Sequence, residues 1–303
     1  MEGRALTLSR ILLTGKNGQV GFELQRALAP LGEIIAVGTR DCDLADAAAV
    51  RALVQRVQPQ LIVNPAAYTA VDRAENEADK ARAINTTAPG VLGEEAARLG
   101  AAVIHYSSDY VYDGSKDGPY LETDPTAPQS VYGRTKLDGE RALVASNRQH
   151  MILRTSWVVG AHGSNFAKTM LRLATDREEL NVVADQFGAP TSAALIADVT
   201  AHAAHRLLQS STEEFPFGTY HLAAGGQTSW HAYAQFVIRE AIAMGHSLKA
   251  TPERVLPIPA IDYPTAATRP NNSRLDTTRL RQAFGLHLPD WQLGVRHILQ
   301  QLS

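Results

Sequence analysis

Apolar positions in this chain follow two alternating rhythms. Leu8 to Thr14 carries Ile11, Leu12 and Leu13 as an unbroken run closed by glycine, the mark of a strand buried on both faces. Val20, Leu24 and Leu28 then recur at helical spacing. Ile34 to Val37 predicts a second strand, Ala47 to Val57 a helix, and Leu61 to Val63 a third strand. A helix near Ala78 to Leu99, a strand Ala102 to Tyr106, a helix around Tyr132 to Ala145 and a strand Met151 to Arg154 continue the series.

Such alternation predicts the α/β class: a doubly wound parallel sheet of Rossmann type. After about Gly160 it loosens into helices near Asn165 to Ala174 and Leu195 to Leu208, short apolar runs at Asn181 to Val183 and Tyr220 to Leu222, and a proline-rich stretch from Pro252 to Pro270. Residues 1–160 are therefore expected to form the sheet domain, with segments near 182–224 returning to it. Residues 161–303 would mainly form a smaller C-terminal substrate-binding domain.

The 303 residues, 45% hydrophobic, supply a sizeable core. With 29 basic and 31 acidic residues interspersed, no basic field invites nucleic acid. Cys42 is the single cysteine and has no partner for a disulfide, which fits a reducing compartment. Neither a signal peptide nor a membrane span is visible, so a cytoplasmic protein is expected. His202 and His205 lack a third metal ligand nearby and read as a partly exposed helix face.

Gly15, Gly18 and Gly21 fall between the first strand and the first helix, with Gln19 and Val20 opening that helix. Glycines there let the backbone approach a pyrophosphate that rests on helix N-terminal amides. The second strand ends in Gly38, Thr39 and Arg40, without the carboxylate that would take a ribose hydroxyl. Arg40 suits the 2′-phosphate of NADPH, and it also reads as a solvated loop arginine; Asp41 and Asp43 close by keep NADH in view. Asp43 and Leu44 would pack beside the adenine. Ala66, Ala67, Tyr68 and Thr69, after the third strand, would pass beneath the cofactor or serve packing alone.

Tyr132 and Lys136, four residues apart, project from one helical face. A phenol is a weak acid near neutrality, and a neighbouring ammonium is expected to favour its ionised form. The strand before that helix ends at Ser108, whose hydroxyl can bond a reacting oxygen beside Tyr132.

The glycine turn, the strand-end serine and the Tyr-x-x-x-Lys pair resemble the extended short-chain dehydrogenases. Tyr106 to Val111, Arg154 to Val158, Asn165 to Met170, Asp185 to Thr191 and Arg269 to Ser273 narrow the resemblance to the dTDP-4-dehydrorhamnose reductase family. That resemblance implies reduction of the sugar C4 keto group in activated rhamnose synthesis for surface polysaccharides such as O-antigen. Ser108, Tyr132 and Lys136 would be catalytic, with Tyr106, Tyr132 and Lys136 also beside the cofactor. Ser108, Asp109, Tyr110, Trp157, Asn165, Gln186 and Arg269 would hold the substrate. It further implies a homodimer and a magnesium ion that the sequence does not place. Structural readings stand beside these: Asp109 as a turn cap, Trp157 as a core anchor, Asn165 as a helix N-cap, Arg269 as a solvated loop residue. A nucleotide-sugar epimerase or dehydratase, and a non-catalytic regulatory subunit of the same fold, are the competing functions.

Overall fold

The computed structural model describes residues 9–302, so Leu8 and the N-terminal segment inspected for a signal peptide lie outside the described residues. At its centre is a six-stranded sheet of β1 (Ser9–Leu13), β2 (Gly32–Ala36), β3 (Leu61–Asn64), β4 (Ala102–Ser108), β5 (His150–Thr155) and β6 (Gly218–His221). All neighbours pair in parallel, in the order β6-β5-β4-β3-β1-β2.

Alternation along each strand decides which helices cover which face. Leu12, Ile62, Val103 and Ile152 pack with Val50, Leu53, Val91 and Leu92 from helices Ala47–Val57 and Ala88–Leu99. Their neighbours Ile11, Leu13, Val63, Ile104 and Leu153 meet Leu24 and Leu28 of Gln19–Leu28 and Ile196 and Ala203 of Ala193–Gln209. Each such buried Val, Leu or Ile side chain contributes about 1.5–3 kcal/mol of transfer free energy. Strand order reverses between β1 and β3, which opens a crevice at the carboxyl ends of the strands.

The helical stretch expected near Ala78 to Leu99 is interrupted. Ala78–Arg82 widens into a π turn at Ala83–Thr87 before Ala88–Leu99 resumes. Pro89 has no N–H to offer the Asn85 carbonyl, and Gly139 gives that oxygen room: a Cβ there would come within 1.9 Å of it. Asn85 is thereby turned inward, accepting from the Tyr68 N–H at 2.8 Å and donating to the Tyr68 carbonyl at 3.1 Å.

A second apolar cluster, including Met170, Leu180, Val182, Tyr233, Phe236, Trp291 and Ile298, holds the C-terminal lobe together. Its helices Trp230–Ala243 and Trp291–Gln301 did not stand out in the apolar pattern. Leu180–Val183 pairs with Val255–Ile258 from the proline-rich stretch, whereas the Tyr220 and His221 run lies in β6 beside β5. Among the described residues no helix is long and apolar enough to cross a membrane.

Candidate active site

Directly after β1 the chain turns through Gly15, at φ 62°, a left-handed backbone that favours glycine. A Cβ on Gly15 would sit 2.9 Å from the Ala66 Cα, and one on Gly21 would meet the Gly15 carbonyl oxygen at 2.0 Å. Turn, helix and the loop after β3 are thus packed backbone to backbone. A cleft of about 870 Å³ opens beside them. Its wall runs from Gly15, Gly18, Gln19, Val20 and Gly21 past Gly38, Ala66, Ala67 and Thr69 to Tyr106, Ser108, Asp109, Tyr110, Tyr132, Lys136, Trp157 and Arg269.

Helix Val131–Ser146 starts on Ser130, whose hydroxyl accepts from the Gly133 N–H at 3.1 Å, and its first turns carry Tyr132 and Lys136 into the cleft. Lys136 is 2% exposed and donates from Nζ to the Tyr106 carbonyl at 2.5 Å. Burial pushes its ammonium down to about 8, against the pull of Glu140 one turn on. Burial pushes the Tyr132 phenol up to about 12; the Ser108 hydroxyl offsets part of this and the Asp109 carboxylate adds to it. The ammonium expected to ionise Tyr132 is engaged with the Tyr106 carbonyl instead, and the phenol keeps its proton at neutral pH. This arrangement suits a proton donor.

Ser108 donates to Asp109 Oδ1 at 2.8 Å and accepts from the Tyr110 N–H at 3.2 Å. Asp109 is 3% exposed, and burial lifts its carboxyl to about 6 despite the Ser273 and Ser108 hydroxyls that favour the charged form. Deeper in the cleft the Ser107, Thr155 and Ser156 hydroxyls are buried without protein partners. Arg269 donates through Nη2 to Asp72 at 3.0 Å, and its Nε is buried and unpaired. Buried polar atoms without partners in a cleft wall are places for a ligand's polar atoms.

Other residues expected at the site lie off this wall. Arg40 is exposed, Asp43 accepts from the Ala45 N–H at 2.9 Å, and Leu44 is packed with Val37 and Val50. Tyr68 donates to Glu77 at 2.9 Å, and Gln186 is buried. Asn165 caps helix Phe166–Asp176 and donates to Gln19 Oε1 at 2.9 Å and the Gly160 carbonyl at 2.7 Å, tying the second lobe to the glycine turn. Sequence reading passed over Asn85, Glu140 and Trp230. A lone asparagine inside an otherwise helical run was the one available sign of Asn85. His202 donates from Nε2 to the Phe284 carbonyl at 3.2 Å. Among the described residues no group of three or more His, Cys, Asp or Glu is placed to hold a metal.

The family model for the RmlD substrate binding domain matches residues 9–303. The dTDP-4-dehydrorhamnose reductase of Shigella flexneri is 52% identical over 296 residues, 96% of this chain and 97% of the relative. A crystal structure of the Clostridium acetobutylicum dTDP-4-dehydrorhamnose reductase is 35% identical, with a TM-score of 0.86 over 97% of this chain and 99% of that one. The Bacillus anthracis dTDP-4-dehydrorhamnose reductase, solved in complex with NADP, is 32% identical, with a TM-score of 0.85 over 97% and 99%. Matched in sequence and backbone along nearly its whole length, the chain belongs to the dTDP-4-dehydrorhamnose reductase family.

Proposed function

We propose that the chain reduces the C4 keto group of dTDP-4-dehydro-L-rhamnose to give dTDP-L-rhamnose, with NADPH as donor and NADH as an alternative. The glycine cradle and the unpaired hydroxyls of the cleft fit a dinucleotide. When bound, the reduced nicotinamide supplies the hydride. Tyr132 donates its proton to the developing alkoxide, and Ser108 hydrogen-bonds the same oxygen. Lys136 would hold the cofactor ribose, and Arg269 would meet a phosphate. Asp109, Tyr110 and Trp157 would orient the sugar, with Asn165 and Gln186 acting from behind the wall. The observation that carries this reading is a phenol kept protonated beside Ser108 in a cleft whose far end is the glycine turn.

Magnesium enters the proposal only through the family resemblance, and no step is routed through it. A homodimer working in the cytoplasm completes the proposal, on the strength of the family. Purified protein mixed with NADPH and dTDP-4-dehydro-L-rhamnose should consume the reduced nicotinamide, and Tyr132→Phe should not. No turnover with dinucleotide bound would favour the non-catalytic subunit over the reductase.

A further inference from the structure

In doubly wound folds the carboxyl end of the second strand faces the adenosine ribose, and an acid there takes the 2′-hydroxyl. This chain puts Gly38, which carries no carboxylate, at that tip, and a Cβ there would crowd the Asn17 side-chain amide at 2.7 Å. The carboxylate comes from further along. Asp41 folds back over the tip, its Oδ2 accepting from the Gly38 N–H at 2.8 Å. The same oxygen meets Lys16 Nζ, from the glycine-rich turn, at 2.7 Å. Oδ1 makes no hydrogen bond among the described residues, and the two side chains are 31% and 44% exposed, within reach of a ligand.

We infer that Lys16 and Asp41 form the pair that selects between the two dinucleotides, a reading that rests on the proposed reductase function. With a free ribose, Lys16 pins Asp41 so that Oδ1 accepts the 2′-hydroxyl. A 2′-phosphate instead repels Asp41 and draws Lys16 away as its counter-charge, with exposed Arg40 adding a second cation. Neither cofactor is shut out, because one mobile ammonium serves both states. Lys16 and Asp41 are specificity residues and touch no reacting atom.

Calorimetric titration of the full chain with NADP+ and NAD+ at fixed ionic strength tests this without any turnover. Lys16→Gln should weaken NADP+ about tenfold, the loss of one charge-assisted bond, and move NAD+ less than about twofold. Asp41→Asn should weaken NAD+ about fivefold and leave NADP+ unchanged or tighter. Lys16→Arg should keep NADP+ binding. Equal shifts for both dinucleotides, or none in either variant, would overturn the pair's role and leave the reductase reading standing. Wild-type protein that binds neither dinucleotide would overturn the reductase reading itself.

Discussion

Trp157 and Trp230 stack face to face, ring centroids 3.5 Å apart and planes 14° from parallel. Trp157 holds this position with φ at 48°, a left-handed backbone that costs a non-glycine residue about 1–3 kcal/mol. Gly188 makes it possible, since a Cβ there would lie 2.6 Å from the indole Cε2. The indole on the cleft wall is therefore fixed from two sides.

Gly188→Ala should displace Trp157 and raise KM for the nucleotide sugar about tenfold, an effect of ångström-scale misplacement. NADP+ affinity should stay near wild type. Unchanged KM in a folded variant would show that Trp157 does not orient the sugar.

Tyr132→Phe removes the proposed proton donor and leaves the glycine turn intact. Turnover should fall by about 10²–10⁴ with NADP+ binding retained, measured by steady-state kinetics and calorimetry. Parallel loss of both would assign Tyr132 to structure.

Asp109 gives a stability signature with a definite sign. Its carboxyl, ordinarily near 3.8, sits at about 6 in the fold. The folded state keeps a proton that the unfolded chain has released, so this contribution is present below pH 3.8 and is lost as pH rises through about 6. At pH 7.5 the buried charge is a net cost. Asp109→Asn should raise stability there by roughly 1–3 kcal/mol and flatten the slope between pH 4 and 6, even while it impairs turnover. A lower Tm for the variant at pH 7.5 would contradict this.

Arg154 and Glu140 are both nearly buried and joined by two bonds of 2.9 and 2.6 Å, with Tyr112 accepting from Arg154 at 2.7 Å. Glu140→Gln leaves an uncompensated guanidinium and should destabilise the fold by about 3–5 kcal/mol. Adding Arg154→Met should recover part of that loss in denaturant melts. Additive losses would mean that the two side chains act independently.

What could be read from the sequence was what one element carries by itself. The glycine turn lies within a few residues of β1, and Tyr132 and Lys136 share a helix face, so spacing alone exposed both. Glu140 and Arg154 come from neighbouring elements, and Asn85 acquires its role only because Pro89 and Gly139 shape the turn around it. Asp41 is legible in the sequence only as an acid near the end of the second strand; its bonds to the Gly38 N–H and to Lys16 appear in the fold alone. That the Lys136 ammonium donates to the Tyr106 carbonyl is a contact between separate elements, which helix spacing does not carry.

The placement of β6 has a bearing on how the chain is made. β5 ends at Thr155, while the strand that completes its outer edge begins at Gly218. During synthesis that edge must wait, its backbone donors and acceptors uncovered, until the ribosome has finished much of the second lobe. A fragment stopped between these points would offer β5 to other chains, and half of this protein would be a seed for aggregation more than a working cofactor domain.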